Sequence, residues 1–317
     1  MNDNTRNQLE SRDRRYREPV LQRVLNKMGV GLLIGLSHLP FWLLYRISDV
    51  LYLLLRFVVR YRYTVITTNL RNAFPEKTER EISTIRKKFY RHFCDLIVET
   101  IKLYSIPEKQ LKKRIEFKGI ESCNEYFNRD INLIAMATHH NNWEWVSNCQ
   151  PLIKHLILII YNPIRGNYAL EKFMLTSRER WGGKCVPVHK TVRTLFRYNA
   201  ESQKTALWLA ADQTPPANAK FWTMFLNQET PFFSGPEKIA HKNNEPVFFQ
   251  YVKKTGRGRY SVEFIPLCEN PAETKPGDIL LAYIRKTEEV IKKEPEYYLW
   301  SHRRWKHKRP EGTDLVE

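Results

Sequence analysis

The stretch LIAMATHHNNWE, residues 133–144, decides how this chain presents its most reactive side chains. Its apolar start predicts a buried strand over Leu133–Thr138, and the polar residues that follow predict a turn into a helix over Asn142–Ile153. His139 then lies at the end of the strand, and the carboxylate of Glu144 follows on the incoming helix. An imidazole takes up a proton near pH 7, and a neighbouring carboxylate can fix its tautomer and stabilise the imidazolium. The pattern therefore leaves two interpretations open: His139 is a general base oriented by Glu144, or the segment is a polar turn in which Asn141 or Asn142 caps the helix and Glu144 offsets its dipole.

Strands and helices alternate along the rest of the chain from about residue 115. Strands are predicted at Leu156–Tyr161, Cys185–Val188 and Thr205–Ala210, and as a pair at Pro246–Lys253 and Arg259–Pro266; helices are predicted at Tyr168–Trp181, Val192–Glu201, Pro236–Lys242 and Asp278–Lys293. This alternation predicts an α/β fold with a mixed central sheet flanked by helices. Reactive groups in such sheets gather beyond the carboxyl ends of the strands. Because Asp212 follows one strand end and His139 follows another, we expect both side chains in one cleft.

Two further segments combine residue types that suit a lipid or a phosphate. Arg178 and Arg180 end a predicted helix, where they either offset the helix dipole or clamp a phosphate. Phe232 and Phe233 come just before Gly235 at the start of another helix. They either belong to an ordinary core loop or line a slot for an acyl chain. The residue types alone leave both alternatives open at both segments.

The charge of the chain indicates an anionic partner. Its 317 residues carry a formal net charge of +18, with a pI near 9.7. Charge on this scale implies nucleic acid, an anionic membrane, a phosphorylated lipid or an acidic protein. The basic segment 300–309 contains tryptophan but no signature of a nucleic-acid-binding fold, which favours membrane contact. The five cysteines are scattered without a C-x-x-C pair, which argues against a disulfide framework or a zinc cage.

The N-terminal part has a different composition from the rest. We predict a polar tail over residues 1–18 and a membrane-associated helical segment over 19–63. Residues 64–317 follow, as a helical lead-in (64–110) and an α/β core (111–317). The uncharged run Gly29–Tyr45 and the apolar run Val50–Val59 are flanked by arginines and tyrosines, as at a cytoplasmic membrane face. A single spanning anchor, a helix pair embedded in one leaflet and a buried core helix all stay open.

In their order along the chain, these segments resemble the late acyltransferases of lipid A biosynthesis, the lauroyl and myristoyl transferase family. That family belongs to the wider group of glycerolipid acyltransferases with an H-x-x-x-x-D/E motif. The resemblance covers most of the chain: the membrane-proximal N-terminus, Asn69–Pro75, His139–Glu144, Tyr161–Pro163, Arg178–Gly182, Asp212–Gln213, Phe232–Pro236 and Trp300–Lys306. Two positions depart from it. His140 stands where an aromatic or other non-histidine residue is expected, and Asn141 stands where glycine is familiar.

This resemblance implies a reaction and its participants. His139, oriented by Glu144, would remove a proton from a hydroxyl of a 3-hydroxyacyl chain on a phosphorylated glucosamine disaccharide. The oxygen would attack the thioester of an acyl carrier protein. Arg178, with Arg180, would hold a phosphate, Asp212 would support the site, and no metal or bound cofactor is needed. The resemblance also implies the inner membrane as location, with the catalytic region on its cytoplasmic face. The carrier protein and the phosphorylated lipid are both anionic, which suits a basic chain.

Four other interpretations stay open at this point. In the first, the acceptor is another glycerophospholipid, aminolipid or glycolipid, with CoA or a carrier protein as donor. In the second, the chain is a condensation-type acyltransferase that uses His140 in a pattern like H-H-x-x-x-D. In the third, it is a non-catalytic, basic membrane-binding protein. In the fourth, it is a metal hydrolase that uses His139, His140 and Glu144, although adjacent residues of a strand point to opposite faces, which disfavours shared ligation.

Overall fold

A mixed seven-stranded sheet forms the centre of the molecule. The computed structural model describes residues 18–317, and the predicted polar tail lies outside them apart from Glu18. The strands are β1 (Ile115–Lys118), β2 (Leu133–Ala137), β3 (Leu156–Tyr161), β4 (Lys184–Pro187), β5 (Thr205–Ala210), β6 (Phe221–Phe225), β7 (Gln228–Phe232), β8 (Val247–Gly256) and β9 (Arg259–Cys268). The sheet has the order β1-β9-β8-β2-β5-β3-β4, while β6 and β7 pair as a separate hairpin. Its last five strands are parallel and β9 is antiparallel to β8, which confirms the predicted mixed sheet.

Helices cover both faces of this sheet. They are α1 (Val20–Ser37), α2 (Phe41–Leu53), α3 (Tyr63–Ala73), α4 (Glu79–Leu103), α5 (Glu108–Lys112), α6 (Ile120–Asn128), α7 (Tyr168–Glu179), α8 (Thr191–Ala200), α9 (Gly235–Asn243) and α10 (Asp278–Lys293). Successive residues of a strand point to opposite faces, so Ile134 and Met136 of β2 join one core layer and Ala135 joins the other. The first layer includes side chains of α8, α9 and α10. The second includes side chains of α5, α6 and the 3-10 helix Glu144–Cys149.

Most predicted elements are confirmed, and the largest difference follows His139. The elements with the predicted bounds are Leu156–Tyr161, Thr205–Ala210 and Asp278–Lys293. The predicted helix over Asn142–Ile153 is wrong, because only a short 3-10 helix forms there. The side chain of Asn142 accepts from the N–H of Trp145, and the Ser147 hydroxyl donates to the carbonyl of Glu144. Such local side-chain bonds compete with regular helix formation.

The N-terminal segment folds as two helices, α1 and α2, which pack on the long helix α4. Across residues 18–317, the structure contains no helix with the length and apolar character needed to cross a membrane. The inner face of α2 is buried at Phe41 and Leu44. A larger set of apolar side chains is exposed: Val20, Leu21, Val24, Leu25, Met28, Leu32, Trp42, Val50, Leu53, Leu54, Phe57, Val58 and Val59. This set, called the outer apolar face below, remains without cover among the described residues.

Helix α4 joins the N-terminal helices to the sheet. It begins at a capping box: Thr78 Oγ1 accepts from the N–H of Glu81 at 3.4 Å, and the Glu81 carboxylate accepts from the N–H of Thr78 at 2.8 Å. Its far end reaches the second core layer at Leu103. The helix therefore connects the outer apolar face with the layer that contains the 3-10 helix Glu144–Cys149.

The turn of the β8–β9 hairpin depends on Gly258. This glycine has a φ of +64°, and a Cβ there would overlap the hydroxyl of Tyr45 on α2. Gly258→Ala is therefore expected to lower the free energy of unfolding by roughly 1–3 kcal/mol, through backbone strain and overpacking. Chemical denaturation in detergent measures the change. Gly31→Ala is the control, because a Cβ at that helical position meets nothing within 4 Å. Equal free energies of unfolding for the two variants would show that the hairpin turn does not require glycine at position 258.

Candidate active site

His139 and Asp212 meet at the carboxyl edge of the sheet. Strands β2 and β5 are parallel neighbours, so the residues that follow them lie side by side. One oxygen of Asp212 accepts from the backbone N–H of His139 at 2.8 Å. Its other oxygen lies 2.7 Å from the ring Nδ1 of His139. An ionised carboxylate only accepts hydrogen bonds, so Nδ1 carries the proton and Nε2 is the basic nitrogen.

Asp212 is an anion although it is buried. Its exposed fraction is 1%. Burial acts to raise the pKa of this carboxyl, but the charge of His139 and the hydrogen bonds from its ring and backbone outweigh burial and lower it. The carboxylate therefore stays ionised near neutral pH and can stabilise the imidazolium that forms when His139 takes up a proton.

Glu144 lies beside His139 on the cavity wall, but its carboxylate is paired with Arg178. The Arg178 Nε donates to one Glu144 oxygen at 2.8 Å and Nη2 donates to the other at 2.6 Å. Burial alone acts to raise the pKa of Glu144, and Arg178 lowers it below its ordinary value. Asp212, and not the expected Glu144, therefore contacts the His139 ring. The predicted helix does not form after His139, and in the 3-10 helix that does form Glu144 points towards α7.

The turn between His139 and Glu144 contains one residue in the left-handed backbone conformation. Asn141 has a φ of +58°, in the left-handed region that favours glycine. Asparagine is among the few other residues that tolerate it, which accounts for the departure from the family pattern at this position. The Asn141 side chain also donates to the carbonyl of Val252 at 2.8 Å. The substitution therefore keeps the turn and adds a tie to β8.

A second buried carboxyl, Glu99 of α4, holds the same turn. It accepts from the Asn142 amide at 2.8 Å, the Tyr260 hydroxyl at 2.7 Å and the Tyr45 hydroxyl at 3.0 Å. Burial raises the pKa of Glu99, and nearby Asp95 adds to the rise. The sequence analysis missed this residue. Its only signal was an acidic side chain among buried apolar ones, Leu96 and Val98.

His140 is a buried structural residue in this arrangement. Its Nε2 donates to the carbonyl of Glu294 at 3.0 Å, and its Nδ1 accepts from the Asn141 amide at 3.2 Å. Burial lowers the pKa of His140 to about 4, so the ring is neutral at physiological pH. His139, by contrast, lines the cavity. The structure therefore separates the two histidines by environment.

A cavity of about 1130 Å³ opens beside His139. Its apolar floor and walls come from two strands and two helices: Ile159 and Ile160 of β3, Leu207 and Leu209 of β5, Val192, Leu195 and Phe196 of α8, and Ile239 of α9. Polar and charged residues border it as well: Asn162, Arg165, Gln213, Lys238, Lys242 and Lys306. The volume is slightly above the usual range of about 300–1,000 Å³ for small-ligand sites, and the lining suits a long apolar chain with a polar end.

The other predicted site residues fall into two groups. Phe233, which is 46% exposed, and Gly235 line the cavity. Phe232 instead is fully buried and packs against Phe225 and Arg304, so its predicted place in an acyl slot is wrong. Arg180 donates to the carbonyls of Leu103 and Tyr104 at the end of α4 and lies over Trp181. Its guanidinium thus binds a helix end rather than the cavity.

The basic C-terminal segment 300–309 is buried in part, while Arg303, Lys306 and Lys308 are exposed. Trp300 and Arg304 are buried, and Arg304 donates to the carbonyl of Pro231 at 2.6 Å. The membrane contact predicted for this segment is wrong at these positions. His302, which the sequence analysis did not single out, accepts from the N–H of Thr214 at 3.2 Å. Burial, and then the charge of His139, lower the pKa of His302 to about 4. It therefore stays neutral beside the base.

The fold and the site define an α/β enzyme with a carboxylate-held histidine at the mouth of a large apolar cavity. The family model described as "Bacterial lipid A biosynthesis acyltransferase" matches residues 11–307. The chain belongs to this family and is an acyltransferase.

Several curated proteins are similar over almost their whole length. A lipid A biosynthesis acyltransferase of Haemophilus influenzae is 22% identical over 92% of this chain and 90% of its own. A lipid A biosynthesis lauroyltransferase of Escherichia coli is 24% identical over 91% of this chain and 93% of its own. A lipid A biosynthesis palmitoleoyltransferase of the same organism is 23% identical, with coverage of 92% and 94%. The predicted family is thereby confirmed.

The Glu144–Arg178 pair offers a stability test. Glu144 is 6% exposed and Arg178 is 20% exposed, so removing one partner leaves a charge nearly buried. Glu144→Ala and Arg178→Ala are each expected to lower the free energy of unfolding by about 3–5 kcal/mol. The double variant Glu144→Ala/Arg178→Ala should lose clearly less than the sum of the two single losses. Chemical denaturation of all three variants measures this.

The control for that test is the exposed pair of Lys112 and Glu108. Glu108→Ala is expected to change the free energy of unfolding by less than about 1 kcal/mol, because both partners are solvated. Strictly additive losses at Glu144 and Arg178 would show that the two side chains are not coupled.

Proposed function

We propose that this chain transfers a fatty acyl chain from an acyl carrier protein thioester to a hydroxyl of a lipid A precursor, with His139 as general base. The observation that carries the proposal is the His139–Asp212 pair at the mouth of the apolar cavity. The family supplies the reaction class. The names of the relatives support a fatty acyl donor and a lipid A acceptor.

The reaction follows from the tautomer of His139. Its Nε2 removes the proton of the acceptor hydroxyl, and the oxygen attacks the thioester carbonyl carbon. The carbon–sulfur bond then breaks, the imidazolium returns the proton to the departing thiolate, and an ester remains on the lipid. Asp212 stabilises the imidazolium between these steps. No external oxidant or reductant is needed, because the exchange of thioester for ester balances.

Glu144 and Arg178 form one unit in this proposal. The carboxylate fixes the guanidinium at the cavity wall with two hydrogen bonds, so the cation keeps its place without a ligand. Arg178 then contacts a phosphate of the donor or acceptor, since a guanidinium binds phosphate oxygens well. Glu144 acts through Arg178 rather than through His139. Phe233 and Gly235 border the space for the acyl chain.

We further propose that the outer apolar face inserts into the cytoplasmic leaflet of the inner membrane. Apolar residues exposed on this scale and grouped on α1, α2 and the turn that follows α2 mark an interaction surface. Arginines lie at its border: Arg56 packs on the Phe57 ring and Arg60 on the Tyr63 ring. Basic and aromatic residues at the border of an apolar surface suit an anionic headgroup region.

Acyl transfer to a phosphorylated lipid A precursor tests the catalytic proposal. His139→Ala is expected to lose about 10²–10⁴-fold in kcat, because general-base help is removed. Asp212→Asn keeps the shape but loses the anion, so kcat should fall by about 10²-fold or more with little change in KM. Mass spectrometry of the lipid product, with acyl carrier protein thioesters as donors, reports the added chain.

The control variant is His140→Gln, which can still donate to the Glu294 carbonyl and should keep most activity. Circular dichroism of each variant checks that it is folded. Full activity of folded His139→Ala would overturn the mechanism. An inactive wild type with every carrier-bound chain length would overturn the choice of donor or acceptor.

Membrane docking is tested by sedimentation with anionic phospholipid vesicles. Leu21 and Leu25 on α1 are 71% and 57% exposed. Leu21→Glu/Leu25→Glu is expected to lower the vesicle-bound fraction several-fold, since it places two charges against lipid. The matched control is Leu152→Glu/Met224→Glu, which changes two apolar residues exposed elsewhere, at 45% and 50%. An equal loss in both variants would mean that the outer apolar face has no special role.

A further inference from the structure

The rim of the cavity between α8 and α9 is an open apolar groove. Val192 and Phe196 of α8 are 57% and 58% exposed, and both line the cavity. Phe233 is exposed on the other side of the opening. A large exposed phenylalanine at a cavity mouth is costly in water and indicates a surface that is covered during function. This feature is called the α8–α9 groove below.

Basic side chains lie on both helices, within the cavity lining on α9 and on the exposed surface of α8. Arg193 and Arg197 of α8 are spaced by four residues and are both exposed, so they lie on one face of that helix. Lys238 and Lys242 of α9 have the same spacing, and both line the cavity. The Lys242 Nζ lies 4.9 Å from the centre of the Phe196 ring. The groove therefore combines an apolar floor with one basic edge on α9, and the exposed arginines of α8, called its second basic edge, follow Val192 and Phe196 in the chain.

The groove and the outer apolar face lie on different helices, although Tyr52 of α2 and Leu195 of α8 both belong to the first core layer. Helix α1 bonds to the loop before α7, where Gln22 and Asn26 both donate to the carbonyl of Gly166. Helix α7 packs against the 3-10 helix of the second core layer. Helices α8 and α9 contribute Leu195 and Ala240 to the first layer. Because α8 and α9 carry none of the residues of the outer apolar face, the groove is a separate surface.

We propose that the α8–α9 groove is the docking surface for the acidic carrier protein that delivers the acyl chain. This proposal rests on the proposed function. An acidic protein complements the two basic edges, which favours encounter and orientation. The apolar floor receives the acyl chain as it enters the cavity towards His139. The acceptor lipid then reaches the same histidine from the membrane side.

Charge reversal on α8 tests the docking surface directly. Arg193→Glu/Arg197→Glu is expected to weaken binding of the carrier protein about tenfold or more, and to flatten the dependence of binding on salt. Fluorescence anisotropy with labelled carrier protein lacking an acyl chain measures binding without any turnover. In parallel, the ratio of kcat/KM for acyl carrier protein to kcat/KM for the acyl pantetheine thioester should fall by the same factor.

The matched control is Lys109→Glu/Lys113→Glu at α5, a pair of exposed lysines with the same spacing. It changes the net charge equally and should leave carrier binding close to wild type. Wild-type binding by the α8 variant would overturn the inference. Loss of anionic vesicle binding with carrier binding intact would also overturn it, in favour of a membrane surface.

The two proposals fail in different ways. If wild type transfers no chain but binds the carrier protein through Arg193 and Arg197, the acceptor is wrong and the docking surface stands. If wild type transfers the chain and the α8 variant binds and turns over normally, the reaction stands and the docking surface is wrong.

Discussion

One buried carboxylate, Asp212, is the constraint on which the site depends. A carboxylate removed from water is costly unless donors surround it, and two of its donors belong to His139. Both contacts require β2 and β5 to be adjacent and parallel, so that their carboxyl ends lie together. The order of strands in the sheet therefore fixes the orientation and the tautomer of the base before a substrate arrives.

The buried carboxyls Glu99 and Asp212 have opposite pKa shifts at equal burial. Burial acts to raise both pKa values; His139 outweighs it and lowers the pKa of Asp212, whereas at Glu99 burial prevails over the hydrogen bonds from Tyr260 and Asn142. Both still hold the backbone near His139. The N–H of Asn141 also donates to the carbonyl of Tyr297, close to the C-terminus. Because α4, the sheet and the C-terminal segment meet at one turn, the site forms only when all three are in place.

Hydrophobic patterns predicted much of the fold and the positions of two site residues, but not the contact between them. They located β3, β5 and α10, and they put His139 and Asp212 at strand ends. The partner of His139 could not be predicted, because it depends on which strands are neighbours rather than on spacing along the chain. The five-residue spacing to Glu144 suggested a helical turn that Asn141 and Asn142 prevent. Phe232 and Phe233 differ only in which side of a strand end they occupy, so composition could not separate them.

The catalytic pair and the side walls of the cavity belong to different structural elements. The base and its carboxylate belong to loops at the ends of β2 and β5, whereas the side walls belong to α8 and α9. A mutation that enlarges or fills space at Leu195 or Ile239 changes what fits without moving the proton-transfer groups. Substrate preference can therefore drift during evolution while the chemistry is conserved. In such a fold, mutations in the cavity walls can change which acyl chain is transferred while the catalytic pair stays intact.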